Sequence, residues 1–530
     1  MKKKLFYPLS FFFFQMVLTG LVGQNSTYMR TYNFPGMNGG LGLSSTSDGG
    51  FVGTGQHEGG PAGSCDVYVY KVTGCGSLEW YKTFGSPASD GGKKVIQTSD
   101  GGYAVIGLWD DGSGSGGGYD YLLMKLNSAG ALQWNTVWNG SGNSGDYGIW
   151  LEEASGGYIT AGNTYASPWG NWNAVVMFYN NLGTPVWARA FGGGSEDAFG
   201  SVHAVSGGYI AGGKTSSFGA GGSDLMAVKV NASGTPVWMN AYGGPGNEGR
   251  YWDTEGIPTP DGGYILAGAT DYGPWSQGSW DILLVKLDAN GVVQWAKTYG
   301  GSNEEVAEGI AVAADGYAIT GYTYTNTNGG RDAFILKIDT LGNFQWVRAY
   351  GTSGTDRGVD IIPVNGGNSG YVLSMNRETS PGSGDYDPMF VRTDSLGDCG
   401  CNNISSVWGV MNVTSLITTT PLPATATQNF ISNITISSPV VTTGAPTPNE
   451  NFICISCTPV TPSFTMSDTI ICANETATLI NTTPPGTASC FEWVANGNVF
   501  STVQDTVVAS FPPTLNGETS TVIVELSAQP

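Results

Sequence analysis

Histidine, the side chain best suited to proton transfer and metal ligation near neutral pH, occurs only twice, at His57 and His203. The two fall in different copies of an internal repeat, so each reads as a single satisfied or exposed residue rather than as half of a copper or zinc centre. Acidic side chains are more numerous and more ordered. One stands six positions after a recurring aromatic at Asp90, Asp197, Glu248, Glu305 and Asp356, with Asn38 in the first copy and Asp146 displaced. Such a series could hold calcium or sugar hydroxyls. Its recurrence favours a plainer use, in which each carboxylate accepts backbone N–H groups of its own turn. Neither set contains a unique carboxylate pair or a Tyr–His arrangement of the kind a polysaccharide hydrolase or lyase requires. No catalytic or metal-ligating residue is therefore assigned and no cofactor is expected, with calcium kept as an alternative.

The side chains that depart from the repeat are aromatic. Trp109, Tyr165, Trp169, Trp172, Phe218, Tyr272, Trp275, Trp280, Tyr322 and Tyr324 stand among Gly, Ser, Asn and Asp, most densely in "SPWGNWN" and "YGPWSQGSW". Exposed rings beside carboxylates and amides suit sugars, which offer an apolar C–H face for stacking and hydroxyls for hydrogen bonds. They suit a protein partner's hot spots equally well. The candidate ligand-binding residues are Trp109, Trp169, Trp172, Tyr272, Trp275, Trp280, Tyr322 and Tyr324, and the competing reading is that these rings fold down as loop cores.

Positioning falls to a repeat of roughly fifty residues, a period that builds propellers, solenoids or arrays. Three anchors recur in order. The first is a glycine-rich turn ending at Phe51, Tyr103, Tyr158, Tyr209, Tyr264, Tyr317 and Tyr371. The second is an apolar run opened by Asp66, Asp120, Asn173, Asp224, Asp281, Asp332 and Asp387 and closed five residues later by a basic residue in six of seven copies, Phe178 being the exception. The third is a Trp after a turn of the type "LDANGVVQW", at Trp80, Trp134, Trp187, Trp238, Trp295 and Trp346. The missing seventh lies at the other end of the chain, where "YMRTYNFPG" puts Tyr28 in the Trp position.

Segments this short, glycine-punctuated and rich in Val, Ile, Tyr and Thr read as four antiparallel strands per repeat, a to d. Continuous apolar character in c, as in "DILLVKL", means that both faces are covered, as in sheets stacked radially. The expected fold is all-β: a seven-bladed β-propeller of four-stranded antiparallel blades over residues 24–398, its last blade completed by the N-terminal strand so that no edge of the ring is left open. Strand direction places the b–c loops, with their aromatics, on the same face as the d–a turns. The repeated Trp residues are expected to pack one blade on the next.

Residues 1–23, with a basic start, an apolar stretch and small residues before Gln24, form a secretory signal pattern. No other segment is apolar enough to span a bilayer. A net charge of −21, with only 12% charged residues and 82 glycines, fits a rigid extracellular β protein and argues against nucleic acid, whose binding needs Lys and Arg. Eight cysteines in an exported chain suggest disulfides. Cys65 and Cys75 bracket one strand and should not pair with each other. A staple from Cys75 to Cys399 or Cys401 is geometrically plausible, Cys454 and Cys457 could instead pair with that cluster, and Cys472 with Cys490 reads as an internal bridge. Residues 399–458, rich in Thr, Ser and Pro, read as a connector with some strand character. Residues 459–530 read as an incomplete C-terminal β-sandwich with a buried-type Trp493.

With stretches such as "YGGSNEEVAEGIAV" and "DGYAITGYT" in view, residues 28–396 resemble the seven-bladed β-propeller repeat family of secreted bacterial proteins, often joined to PKD or Ig-like modules. The tail resembles a PKD-type domain, but carries "EWVANG" at Glu492 to Gly497 where that family has a "WDFGDG"-like stretch. The "LDANGVVQW" turn is similar to the tryptophan-docking repeat of quinoprotein dehydrogenases. What the resemblance implies is a secreted or cell-surface module for binding and adhesion, exported through a type IX-like pathway, with no reaction implied. The expected function is noncatalytic binding of a glycan or surface protein by a monomeric module of a larger chain. The alternatives are a polysaccharide-active enzyme and a passive spacer in a surface adhesin.

Overall fold

In the computed structural model, the described residues are 27–33, 38–58, 64–74, 76–110, 118–140, 145–166, 169–249, 254–325, 327–364, 370–399, 403–405, 408–429, 435–437, 442–444, 449–455, 464–466, 476–481, 490–495, 498–501, 506–510 and 524–529. The signal pattern at 1–23 lies outside them.

The fold is all-β, with seven antiparallel blades in a ring. Blade 1 runs through strands a to d at Asn38–Ser45, Phe51–Glu58, Cys65–Val72 and Leu78–Gly85. Blades 2 to 6 repeat this order, their strands c buried along nearly their whole length. Blade 7 takes strands a to c from Asp356–Pro363, Tyr371–Glu378 and Tyr386–Arg392, and strand d from the other end of the chain, Tyr28–Asn33. Tyr28 pairs with Arg392 and Thr31 with Met389, so the expected closure of the ring is present.

The anchors have a common geometry. In strand d, Trp80, Trp134, Trp238, Trp295 and Trp346 sit opposite the basic residues Lys71, Lys125, Lys229, Lys286 and Lys337 of strand c, and Tyr28 opposite Arg392. Each of these rings packs forward onto the next blade. Trp80 lies 5.3 Å from Tyr103, Trp134 6.0 Å from Tyr158, and Trp346 5.9 Å from Tyr371. The c–d turn of that next blade contributes a glycine flat against the same ring. At Gly130, Gly183, Gly234, Gly291, Gly342, Gly397 and Gly76, φ lies between 73° and 82°, and an added Cβ would stand 2.5 to 3.0 Å from the Trp, a neighbouring side chain or Tyr28. Only glycine combines that conformation with that approach. Tyr32, Tyr242, Tyr299 and Tyr350 further tie neighbouring blades, donating from Oη to the carbonyls of Gly76, Gly291, Gly342 and Gly397 at 2.6 to 2.7 Å.

The closing lysines serve the a–b turns. Lys71, Lys125 and Lys286 reach Asp48, Asp100 and Asp261 at 2.8 to 3.0 Å. Blade 3 has Ser155 rather than an acid in that turn, and there Phe178 replaces the lysine and stacks on Trp187, with centroids 6.2 Å apart.

Each blade carries five strands rather than four. Residues following blade 7 travel backwards around the ring and pair one strand antiparallel to every strand d: Asn403–Ser405 on blade 6, Gly409–Asn412 on blade 5, Thr418–Pro421 on blade 4, Thr427–Asn429 on blade 3, Thr435–Ser437 on blade 2, Thr442–Gly444 on blade 1 and Asn449–Ile455 on blade 7. This belt covers the outer edge of every blade. It is pinned by buried Trp408, Val413, Leu422 and Ala426, with Trp408 5.0 Å from Phe334. The belt's last strand encloses the N-terminal strand, which is hydrogen-bonded on both sides. Beyond it lie two three-stranded antiparallel sheets, one built from Phe464–Met466, Thr476–Asn481 and Thr506–Ser510, the other from Asn498–Ser501, Cys490–Ala495 and Val524–Gln529.

Cys65 carries a free thiol and Cys399 is buried against the core of blade 7. Cys75, Cys401, Cys457 and Cys472 lie outside the described residues. Among the described residues no helix is long and apolar enough to cross a membrane.

Candidate functional site

Strands b and c of each blade meet at the same face as the d–a turns, and that face carries the variable aromatics. The structure divides them. Trp109, Trp275 and Tyr322 are buried, at 3%, 2% and 3% exposure, as loop-core side chains. Trp169, Trp172, Tyr272 and Trp280 are half-buried, Phe218 packs partly on the blade 3–4 core, and Tyr165 and Tyr324 are exposed at 45% and 44%. Closely spaced aromatics thus split their roles. In blade 5, Trp275 packs edge-on to Tyr272 at 5.5 Å and fills the loop interior, while Trp280 keeps an accessible edge.

Among the described residues, accessible rings form a continuous run between blades 2 and 3. Tyr119 lies 5.7 Å from Tyr147, Tyr147 4.9 Å from Trp172, and Trp172 5.6 Å from Tyr165. Tyr119 and Tyr147 come from the end of the blade 2 loop and the start of strand a in blade 3, and nothing in their local sequence distinguishes them from repeat residues. Gly145 lets Trp172 lie close to the backbone, since a Cβ there would fall 2.5 Å from the indole. Asn171, the one non-glycine residue with positive φ (65°) among those described, turns the chain so that its Oδ1 accepts the Trp172 N–H at 2.9 Å. A non-glycine residue held in that region marks a loop whose shape is imposed by its surroundings. A run of rings edged by amides and glycine backbone can stack on apolar ring faces and hydrogen-bond hydroxyls.

Carboxylates on this face are turn elements. Asp197, Glu248, Glu305 and Asp356 each accept the N–H of the residue four positions earlier, at 2.6 to 3.0 Å, as Asp90 does from Ser86, whereas the displaced Asp146 accepts that of Gly140, six positions earlier, at 2.8 Å. Behind them lies the acid that opens strand c of the preceding blade, so the junctions hold paired carboxylates: Asp66 with Asp90, Asp120 with Asp146, Asp224 with Glu248, Asp281 with Glu305, and Asp332 with Asp356. Burial first, and then the partner's charge, raise Asp90 and Asp281 to about 6 and Asp146, Glu248 and Asp332 to about 7. Among the described residues no three His, Cys, Asp or Glu side chains are grouped to hold a metal ion.

A second polar constellation, missed from sequence, lies in the central channel. Strand a of six blades carries a one-residue β-bulge at the same level, and bulges re-aim side chains. At that level Lys94 of blade 2 forms an ion pair with Asp360 of blade 7, donates to the Leu43 carbonyl at 3.2 Å, and stands 4.3 Å from the Trp150 ring centroid. Asp360 also accepts the N–H groups of Leu43 and Ile361 at 3.0 and 2.9 Å. Arg357 pairs with Glu308. His203 bonds Glu152 through Nδ1 at 2.8 Å and sits edge-on to Trp150 at 5.2 Å, with its buried Nε2 left without a hydrogen-bond partner, whereas His57 is a buried residue of blade 1 whose protonation burial disfavours. Glu255 of blade 5 faces the same space, and its carboxyl is pushed well above the usual range by burial and by Asp360. The available signal was a set of charged residues interrupting strands a, but their convergence depends on closing the ring.

No protein family matches the chain, and no curated protein matches it either.

Proposed function

We propose that the chain is a secreted or cell-surface, noncatalytic adhesion module that binds glycans on the b–c loop face, with the ring run Tyr119–Tyr147–Trp172–Tyr165 as the stacking platform. The observation that carries this reading is the continuity of four rings spaced 4.9 to 5.7 Å apart across a blade junction, ending at half-exposed Tyr165. Aromatic platforms of this kind offer a flat apolar surface that a pyranose C–H face matches, and the neighbouring amides supply hydrogen bonds. Export rests on the signal pattern at residues 1–23, and the propeller supplies a rigid scaffold for the loops.

The test is a glycan array and pull-down with purified residues 24–530, with and without calcium, beside the double variant Tyr165→Ala/Trp172→Ala. Wild-type binding should fall at least about tenfold in the variant, equivalent to about 1.4 kcal/mol, with the melting temperature held within a few degrees because Tyr165 is exposed and Trp172 half-buried. Unchanged glycan affinity in the variant refutes the platform. Silence of the wild-type protein on the array favours a spacer, and capture of a surface protein that the variant also loses would move the ligand class from glycan to protein.

A further inference from the structure

The channel widens from the Lys94–Asp360 level toward the face bearing the a–b turns, opposite the aromatic loops. The wide part is a cavity of about 380 Å³. Its walls are aliphatic, from Leu43, Ile96, Ile257, Ile310, Ile361 and Ile362, with Trp150 along one side. Its floor is polar, and solvent-exposed Ser45 stands at its rim. A pocket that joins an aliphatic wall to a few convergent polar groups is the usual form of a small-ligand site.

Charge decides which ligand. Three of the acids facing this space have basic partners: Asp360 with Lys94, Glu308 with Arg357, and Glu152 with His203. Lys93 lines the narrow end of the channel. Among the described residues Glu255 has no ion pair of its own: the basic charge that acts on it is Lys94, which is already paired with Asp360, so two carboxyls share one ammonium group. Glu255 is 5% exposed, its one hydrogen bond is the Ile310 N–H at 3.1 Å, and it lines both the narrow and the wide parts of the cavity. A buried carboxyl in that position must be either neutralised by a proton or matched by a cation. An anionic ligand would meet Asp360, Glu255, Glu308 and Glu152, whereas a compact cation completes the set.

We propose that the channel cavity binds an aliphatic primary ammonium ion, its charged end against Glu255 and Asp360 and its alkyl chain along the isoleucine walls. The ligand enters as R–NH₃⁺ and keeps its protons. Glu255 enters as the carboxylic acid, ionises on binding and passes its proton to solvent. Affinity therefore rises with pH while Glu255 is neutral in the free protein. This site is independent of the glycan platform, which lies on the opposite face.

The experiment is calorimetric titration of the full chain with n-pentylammonium chloride near pH 7, in two buffers of unlike ionisation enthalpy, with n-pentanol and valerate as uncharged and anionic matches. The expected result is saturable one-site binding of the amine alone, with close to one proton released per amine bound. Glu255→Gln, which keeps the shape of the neutral acid and its acceptor for the Ile310 N–H, should weaken binding at least tenfold and abolish proton release. Ile362→Trp, which fills the wide part of the cavity from a half-buried wall position away from Glu255, should block binding and covers the case in which Glu255→Gln fails to fold. Amine binding weaker than about 10 mM, valerate or pentanol binding as well as the amine, or full affinity in either variant would overturn the proposal.

Discussion

At the scale of single residues, the fold is held by two repeated economies of space. One is the c–d turn glycine pressed on a Trp. At Gly291, with φ of 79°, an added Cβ would stand 3.0 Å from Trp238. Gly291→Ala should therefore lower stability by about 1–3 kcal/mol, read as a shift in the urea midpoint, and an unchanged midpoint would contradict the contact. The other is the carboxylate pair at each junction. Asp332 and Asp356 are fully buried, each has an Oδ1 without a hydrogen-bond partner, and the charge of Asp356 adds to burial in raising Asp332 while Arg377 tempers the rise at Asp356. The folded state thus prefers the neutral acid, so this stabilisation is complete below the unfolded carboxylate pKa near 4 and is lost as pH rises through the folded values of about 6 to 7. In the opposite sense, Asp100, held by the Thr98 hydroxyl, and Asp261, where partial burial is outweighed by Lys286 and Thr259, are lowered to about 2, and their contribution is lost in strong acid. Melting temperature should accordingly be higher at pH 5 than at pH 8. Blade 3 uses Asn173 at the strand c position, an amide that resembles a protonated acid. Asp332→Asn copies it, and should raise the melting temperature at pH 8 by a few degrees while flattening the slope; a profile already flat from pH 5 to 8 in the wild type would count against proton sharing.

At the scale of elements, the strand Tyr28–Asn33 bears more than its six residues suggest. It pairs with strand c of blade 7 on one side and the end of the belt on the other, and its Tyr28 and Tyr32 engage Gly76 of blade 1. Deleting residues 24–34 should abolish cooperative melting of the whole ring rather than shorten it, as followed by circular dichroism; an unchanged melting temperature would refute closure by this strand. Much of this was legible beforehand. The Tyr28 register and the forward-packing Trp series followed from motifs recurring in order, because every blade solves the same packing problem with the same residues. Less legible was the fate of the loop aromatics, since buried Trp275 and half-buried Trp280 are separated by only four small or polar residues. Loop burial depends on what the neighbouring blade presents, and local sequence does not encode that.

For the whole molecule, the belt changes what the domain boundary means. Residues 403–455 add a strand to all seven blades in reverse order, so the propeller's outer edges are paired rather than open. Unpaired edges are templates for association. A chain ending at residue 398 should therefore melt at lower temperature and form oligomers on size-exclusion chromatography with light scattering, whereas one ending at residue 458 should remain monomeric. A stable monomer from the shorter chain would show that the belt is dispensable.

Sequence periodicity was sufficient for the blade count, the strand order, the ring closure and the face that carries variable loops, because these depend on local patterns repeated at fixed spacing. Three features required the folded ring. Six of the seven belt strands are only three or four residues long, and each pairs with its blade through backbone hydrogen bonds, which leave little imprint on side-chain type. The carboxylate pairs join acids of successive blades that look like separate turn residues along the chain. Lys94, Glu255 and Asp360 belong to blades 2, 5 and 7, and only the radial convergence of strands a on one axis places them around a common cavity.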